Sequence, residues 1–175
     1  MKRICIWVPI LCACFASVAW SQQPAAKGQN NWSEFHRTNM VRWNPYENVI
    51  NVHNVGHLQP KWSFATGSPV VSSPAVTNEV VYVGSLDGTV YALSAKTGAK
   101  LWSYITGQSV YSSPAVANGV VYVGSYDGNV YALNASTGAF LWSYLTGGGD
   151  SSPAVANGVL YVGSRDYHVY AFGLK

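Results

Sequence analysis

Cysteine is missing from most of this chain. All three, Cys5, Cys12 and Cys14, fall in the first fourteen of 175 residues, so the remainder can form no disulfide, no cysteine-ligated zinc site and no catalytic thiol. Charge is sparse as well: 10% of residues are charged, and Lys61, Lys96, Lys100, Arg165 and Lys175 form no run. Nucleic-acid binding normally needs a basic stripe or patch, so nucleic acid is excluded as a partner. No segment carries a helical period of apolar residues, which removes helical bundles and α/β layers. Long apolar runs are absent too. Ile4 to Trp20 is uncharged, yet falls short of the ~20 residues that cross a bilayer.

What is present at the N-terminus reads as an export signal. Met1-Lys2-Arg3 is cationic, the apolar run follows, and Ala19-Trp20-Ser21 offers small residues where a signal peptidase cuts, ahead of "QQPAAKGQ". Residues 1–21 are therefore expected to be a signal peptide and 22–58 an N-terminal extension. The mature chain would be periplasmic or secreted, with no membrane span. "LCAC" (residues 11–14) also reads as a lipobox, which would tether the exported chain through Cys14.

The rest of the chain repeats itself. Trp62, Trp102 and Trp142 are spaced by 40 residues, and residues 72–105 agree with 112–145 at 26 of 34 aligned positions. Agreement that close marks a repeat architecture, to be recognised before any motif is trusted. Within a unit, "SSPAV" opens with a proline tolerated at a strand start or edge. "VVYVGS" is β-branched and aromatic, Asp87-Gly88 and Asp127-Gly128 read as two-residue hairpin turns, "TVYAL" returns, and "TG" precedes a fourth strand. Apolar bulk on both faces (Val80 and Tyr82 alternating with Val81 and Val83) predicts sheets covered on both sides. Four short antiparallel strands per 40 residues, stacked face to face, describe a β-propeller blade. The expected fold is all-β, with about three blades in a partial or oligomer-completed propeller: 72–105, 112–145, and 151–175 completed by 61–66.

"YALSAKTGAKLWSY" and "YALNASTGAFLWSY" resemble the repeat of pyrroloquinoline-quinone-type propellers, whose blades carry A-x-D-x-x-T-G-x-x-x-W. Ala92, Thr97, Gly98 and Trp102 match it, as do Ala132, Thr137, Gly138 and Trp142, while Ser94 and Asn134 stand for the family's Asp. Either can cap a tight turn through a side-chain oxygen. The resemblance covers residues 59–175 and implies two roles. One is a quinoprotein dehydrogenase, in which quinone and calcium sit on the axis of eight blades beside a catalytic Asp and beneath an adjacent-cysteine disulfide. None of those residues maps onto this sequence, so no catalytic, cofactor-binding or metal residue is assigned, and pyrroloquinoline quinone remains an implication of the resemblance alone. The other is a non-catalytic envelope scaffold, similar in role to the outer-membrane β-barrel assembly scaffold, with protein partners or self-association. A quinone- or sugar-binding module, or a remnant of a quinone-dependent dehydrogenase, is the alternative.

The remaining chemistry-bearing residues have structural readings. The repeated tryptophans, Trp62 included, fit as wedges between blades. Asp87 and Asp127 belong to turns before they belong to acid–base chemistry. His53 and His57 have the i, i+4 spacing of a helical metal site, but Gly56 between them and the lack of an acidic partner argue against one. Arg165, Asp166, Tyr167 and His168 break the repeat: Tyr167 replaces the hairpin Gly, so this turn is expected to need another geometry. An asymmetric patch here is the one place where a site could sit.

Overall fold

The computed structural model describes residues 47–174. The expected signal peptide, Cys14 and the extension up to residue 46 lie outside the described residues. The strands β1 (Ala75–Thr77), β2 (Val80–Gly84), β3 (Thr89–Ser94) and β4 (Lys100–Ile105) pair in that order as one antiparallel sheet. A second sheet repeats it with β5 (Ala115–Ala117), β6 (Val120–Gly124), β7 (Asn129–Asn134) and β8 (Phe140–Leu145). The third sheet has three strands, β9 (Ala154–Ala156), β10 (Val159–Gly163) and β11 (Val169–Gly173), with β11 at its edge. These are consecutive propeller blades. A 3-10 turn, Val55–His57, precedes them.

Turn chemistry sets the strand lengths. The first hairpin of each blade turns through Asn78-Glu79, Asn118-Gly119 or Asn157-Gly158, all at positive φ, as a two-residue mirror-image turn requires. The second hairpin differs from the sequence expectation. Ser85 N–H donates to Thr89 O at 3.0 Å and Gly88 N–H to Ser85 O at 3.1 Å, so residues 86–88 form a three-residue loop with Gly88 alone at positive φ (83°). A turn that ends on a left-handed residue leaves the preceding Asp in ordinary backbone, with its carboxylate free to point elsewhere.

The two serines of "SSPAV" have separate jobs. The first closes its own blade: Ser72, Ser112 and Ser151 Oγ accept the N–H of Gly84, Gly124 and Gly163. The second links blades, because Ser73 N–H donates to Ser113 Oγ at 2.9 Å and Ser113 N–H to Ser152 Oγ at 3.0 Å.

Blade faces are joined by the tryptophans. Trp102, on β4 of the first blade, donates Nε1–H to Ala135 O in the second at 2.8 Å. Its ring lies where a Cβ on Gly138 would come within 2.7 Å, and Gly138 has φ 73°. Glycine is required there twice over, by conformation and by space. Trp102, Tyr82, Val90, Val121, Val123 and Leu133 belong to one buried cluster between these blades. The next interface is thinner: Val130, Leu160 and Val162 are buried, while Trp142, Tyr170 and Phe172 are only partly covered.

Residues 61–66, expected to complete the third blade, instead lie against the first. Trp62 Nε1–H donates to Ala95 O at 2.9 Å, the Trp62 ring blocks a Cβ on Gly98 at 2.6 Å, and Phe64 meets Tyr91 edge-on at 5.4 Å. The reason is the repeat itself. Trp62 stands one period before Trp102 and makes the contact that Trp102 makes one blade later.

Truncating Trp102 to alanine removes a buried wedge and leaves Ala135 O without its donor. A loss of about 3–5 kcal/mol is expected, measured by urea unfolding. A loss under 1 kcal/mol would show that the blades are held together by something else.

Candidate functional site

The hairpin loops of the second and third strands and the links between blades share one end of the arc, where Asp87, Asp127 and residues 165–168 are found. The aspartates there are latches. Asp127 Oδ2 accepts Gly107 N–H from the preceding blade at 2.7 Å and the Tyr131 hydroxyl at 2.7 Å, while Oδ1 accepts Asn129 N–H at 2.9 Å. Asp87 does the same with Gly67 N–H, Tyr91 and Thr89. Burial pushes the Asp127 carboxyl up, but the Tyr131 hydroxyl and the Asn129 and Gly107 N–H groups outweigh it and hold the carboxyl below the usual range. Asp87 is lowered by the same balance, burial opposing the Tyr91, Gly67 and Thr89 donors.

The third hairpin keeps the geometry of the other two, against expectation. Tyr167 N–H donates to Ser164 O at 3.2 Å, and Tyr167 takes the left-handed position at φ 71° with its side chain 99% exposed. Asp166 keeps the turn contacts, accepting the Tyr170 hydroxyl and His168 N–H, while Gly147 N–H, the counterpart of Gly107, donates to Gly128 O; the Tyr170 hydroxyl is the main cause of its lowered pKa. His168 Nδ1 lies 3.4 Å from Asp166 Oδ1. Asp166 and His168 are therefore brought together, with Asp166 already committed to its turn.

Two partners of this patch were not foreseen from the sequence. Arg165 Nε donates to Asp150 Oδ2 at 2.7 Å and Nη1 to the Tyr126 hydroxyl at 2.8 Å, with its guanidinium carbon 4.7 Å from the Tyr126 ring centre. Tyr126 in turn packs on Tyr111 at 5.8 Å. The Asp150 hydrogen bond is the leading cause of a raised Arg165 pKa. Asp150 Oδ1 is buried and makes no hydrogen bond. The signal was the third link, "TGGGDSS", one residue shorter than "TGQSVYSS". In the longer link Val110 fills the space beside Gly84; in the shorter one Gly149 backbone fills the space beside Gly124. The shortening sets Asp150 against Arg165.

His53 and His57 are exposed at the 3-10 turn. Among the described residues no three His, Cys, Asp or Glu side chains gather as metal ligands. Asp87, Asp127 and Asp166 are spent on turn N–H groups and tyrosine hydroxyls. A cleft of about 490 Å³ does open between the first two blades at the other end, bordered by Thr77, Tyr82, Leu101, Trp102, Asn118 and Ser136. It holds no titratable group besides the Tyr82 hydroxyl, which donates to Ala135 O.

The family profile described as outer membrane protein assembly factor BamB matches residues 59–112 and 106–175. BamB from Moraxella catarrhalis superposes with a TM-score of 0.57 at 28% identity, covering 64% of this chain and 36% of that one. The quinohemoprotein alcohol dehydrogenase ADHIIG of Pseudomonas putida HK5 superposes at 0.70 with 29% identity, covering 82% of this chain and 25% of that one. A quinoprotein ethanol dehydrogenase of Pseudomonas putida is 40% identical over 68 residues, 37% of this chain and 11% of its own length. The chain thus spans a small part of the proteins it matches.

Two outcomes follow from the loops. The depressed carboxyls of Asp87 and Asp127 contribute stability that is fully present above their unfolded value of about 3.9 and is lost as pH falls through the lower folded value. Urea midpoints should therefore drop from about pH 5 downward. Asp127→Asn should flatten that acid limb and cost about 1–3 kcal/mol at neutral pH; an unchanged limb would mean that other carboxyls govern it. Separately, Tyr167→Gly relieves a left-handed tyrosine and should stabilise by about 0.5–1 kcal/mol. A lower melting temperature would mean that the exposed ring makes a contact worth more than the strain.

Proposed function

The chain belongs to the family of the outer membrane protein assembly factor BamB, and from that premise we propose that it is an exported, non-catalytic propeller arc that binds proteins in the cell envelope. One observation carries this reading: Tyr111, Tyr126 and Arg165 form a contiguous row across the loop end, the two rings 43% and 41% exposed and the guanidinium lying on the second ring. Tyrosine and arginine are the residues that most often dominate binding energy at interfaces, because they offer large contact area with few rotors and several donors. Asp150 holds the arginine in place, so less freedom is lost when a partner arrives.

The non-catalytic part of the reading rests on the aspartates. General acid–base chemistry needs a carboxyl free to meet a substrate, whereas each hairpin aspartate is held by a tyrosine hydroxyl and backbone N–H of its own turn. The second reading, a remnant of a quinone-dependent dehydrogenase, draws on the 40% identity over 68 residues to a quinoprotein ethanol dehydrogenase.

Adding pyrroloquinoline quinone and calcium to the purified chain separates the two. No absorbance change and no dye-coupled alcohol oxidation are expected; quinone uptake with calcium dependence would overturn the proposal. Its positive arm is a photo-cross-linker at Tyr111 in the envelope. A discrete protein adduct is expected, and Tyr126→Ala with Arg165→Ala should reduce it at least tenfold.

A further inference from the structure

The repeat places one pair of side chains per blade at the loop end, at positions where the blades differ. Val71 and Leu86 of the first blade correspond to Tyr111 and Tyr126 of the second and to Asp150 and Arg165 of the third. The first member of each pair stands in the link ahead of its blade, the second in the hairpin between the second and third strands. Tyr111 and Tyr126 pack ring on ring at 5.8 Å, and Arg165 bonds Asp150 at 2.7 Å. Val71, Tyr111 and Tyr126 are open to solvent. The row runs from aliphatic through aromatic to ionic, and the guanidinium lying on the Tyr126 ring joins its last two steps.

Hydrogen-bonding capacity along this row is unbalanced. The carbonyls beside it are occupied: Pro69, Ser109 and Gly148 O accept Leu86, Tyr126 and Arg165 N–H. Leu86 O accepts the Ser109 hydroxyl, and Gln108 O accepts those of Thr106 and Ser125. Asp150 Oδ2 accepts Arg165 Nε, and its Oδ1 is buried. Donors are left over. Of the five N–H groups of a guanidinium, one goes to Asp150 and one to the Tyr126 hydroxyl, and the others find no acceptor among the described residues. The Tyr126 hydroxyl accepts from Arg165 and keeps its own hydrogen to give. A ligand suited to this surface brings acceptors and apolar bulk with few donors, because an N–H turned toward the row would lose its water and gain no partner.

Proline-rich chain has that chemistry. Each proline keeps a carbonyl and lacks an N–H. Its ring methylenes suit an aromatic face, and the chain is already extended as polyproline II, so little entropy is lost on docking. We propose that the row binds a proline-rich segment of a partner protein, with prolines seated against Tyr111 and Tyr126. Backbone carbonyls of the segment accept from the Tyr126 hydroxyl and the Arg165 guanidinium. The steps of 5.8 Å between the rings and 4.7 Å from the second ring to the guanidinium together compare with the ~9 Å advance of one three-residue turn of that helix. Charge does not select this ligand, because Asp150 already neutralises Arg165. The inference rests on the loop-end reading and names the chemistry of its partner.

A dye-labelled polyproline peptide, titrated with the full chain and followed by fluorescence anisotropy, should show saturable binding. Its affinity should change by less than about twofold between low and high salt. A glycine–serine peptide and an acidic peptide of equal length should not bind. Tyr126→Ala should weaken polyproline binding by about tenfold or more. Tyr126→Phe keeps the ring and loses the donor, and should weaken it about threefold to tenfold. Tighter binding of the acidic peptide, or undiminished polyproline binding by Tyr126→Ala, overturns the proposal. Polyproline should also compete away the protein adduct formed by the cross-linker at Tyr111. An adduct that forms while polyproline fails to bind overturns the proline-rich ligand and leaves the loop-end reading standing; loss of both overturns the two together.

Discussion

The structure depends on one constraint: a blade that is apolar on both faces cannot bury itself. β2 and β6 carry valine and tyrosine on alternate sides, and only a neighbouring blade can cover each side. The tryptophan of the fourth strand meets that need across the boundary, since its ring fills the space over Gly98 or Gly138 and its N–H satisfies a carbonyl at the turn. Buried polar groups cost free energy unless they are paired, so the Trp N–H to carbonyl bond fixes the angle between blades as well as their separation. The serine ladder near the inner strands and the Asp-to-Gly bonds at the loop end pin the same boundary at two further places.

The repeat also assigns most polar groups of a blade to its boundaries. The groups with chemical potential in each repeat are consumed in joining blades: the aspartate accepts from a turn and from the preceding blade, the tyrosine donates to that aspartate, and the threonine closes the following loop. Departure from the repeat is what frees side chains. The shortened link before β9 moves Asp150 beside Arg165, and Arg165 then settles on Tyr126. Both charges are substantially exposed, so the pair orders the loop end more than it stabilises the fold, as exposed ion pairs generally do.

Much of the fold was legible in the residues. The 40-residue spacing of Trp62, Trp102 and Trp142, the strand composition and the Thr-Gly turns each specify local structure, and they agree with one another. Asp87-Gly88 was read as a two-residue turn because the dipeptide favours one, but Ser85 closes a longer loop and only the glycine turns left-handed. Tyr167 was expected to change its hairpin. It did not, because β10 and β11 pair over five residues and hold the register against the cost of one strained residue. Of the patch around Arg165, the sequence located the irregularity but not its partners: Asp150 and Tyr126 lie 15 and 39 residues away, and no local pattern reports on that separation.

Composition and spacing by themselves determined that the chain is all-β, that it is built of propeller repeats, and that tryptophans separate the blades, because these follow from side-chain period and turn chemistry acting over a few residues. Tertiary structure alone decided where residues 61–66 go and which carboxylates are occupied. Those outcomes depend on which blade a surface meets. A sequence of near-identical repeats is silent there, since every copy presents the same surface.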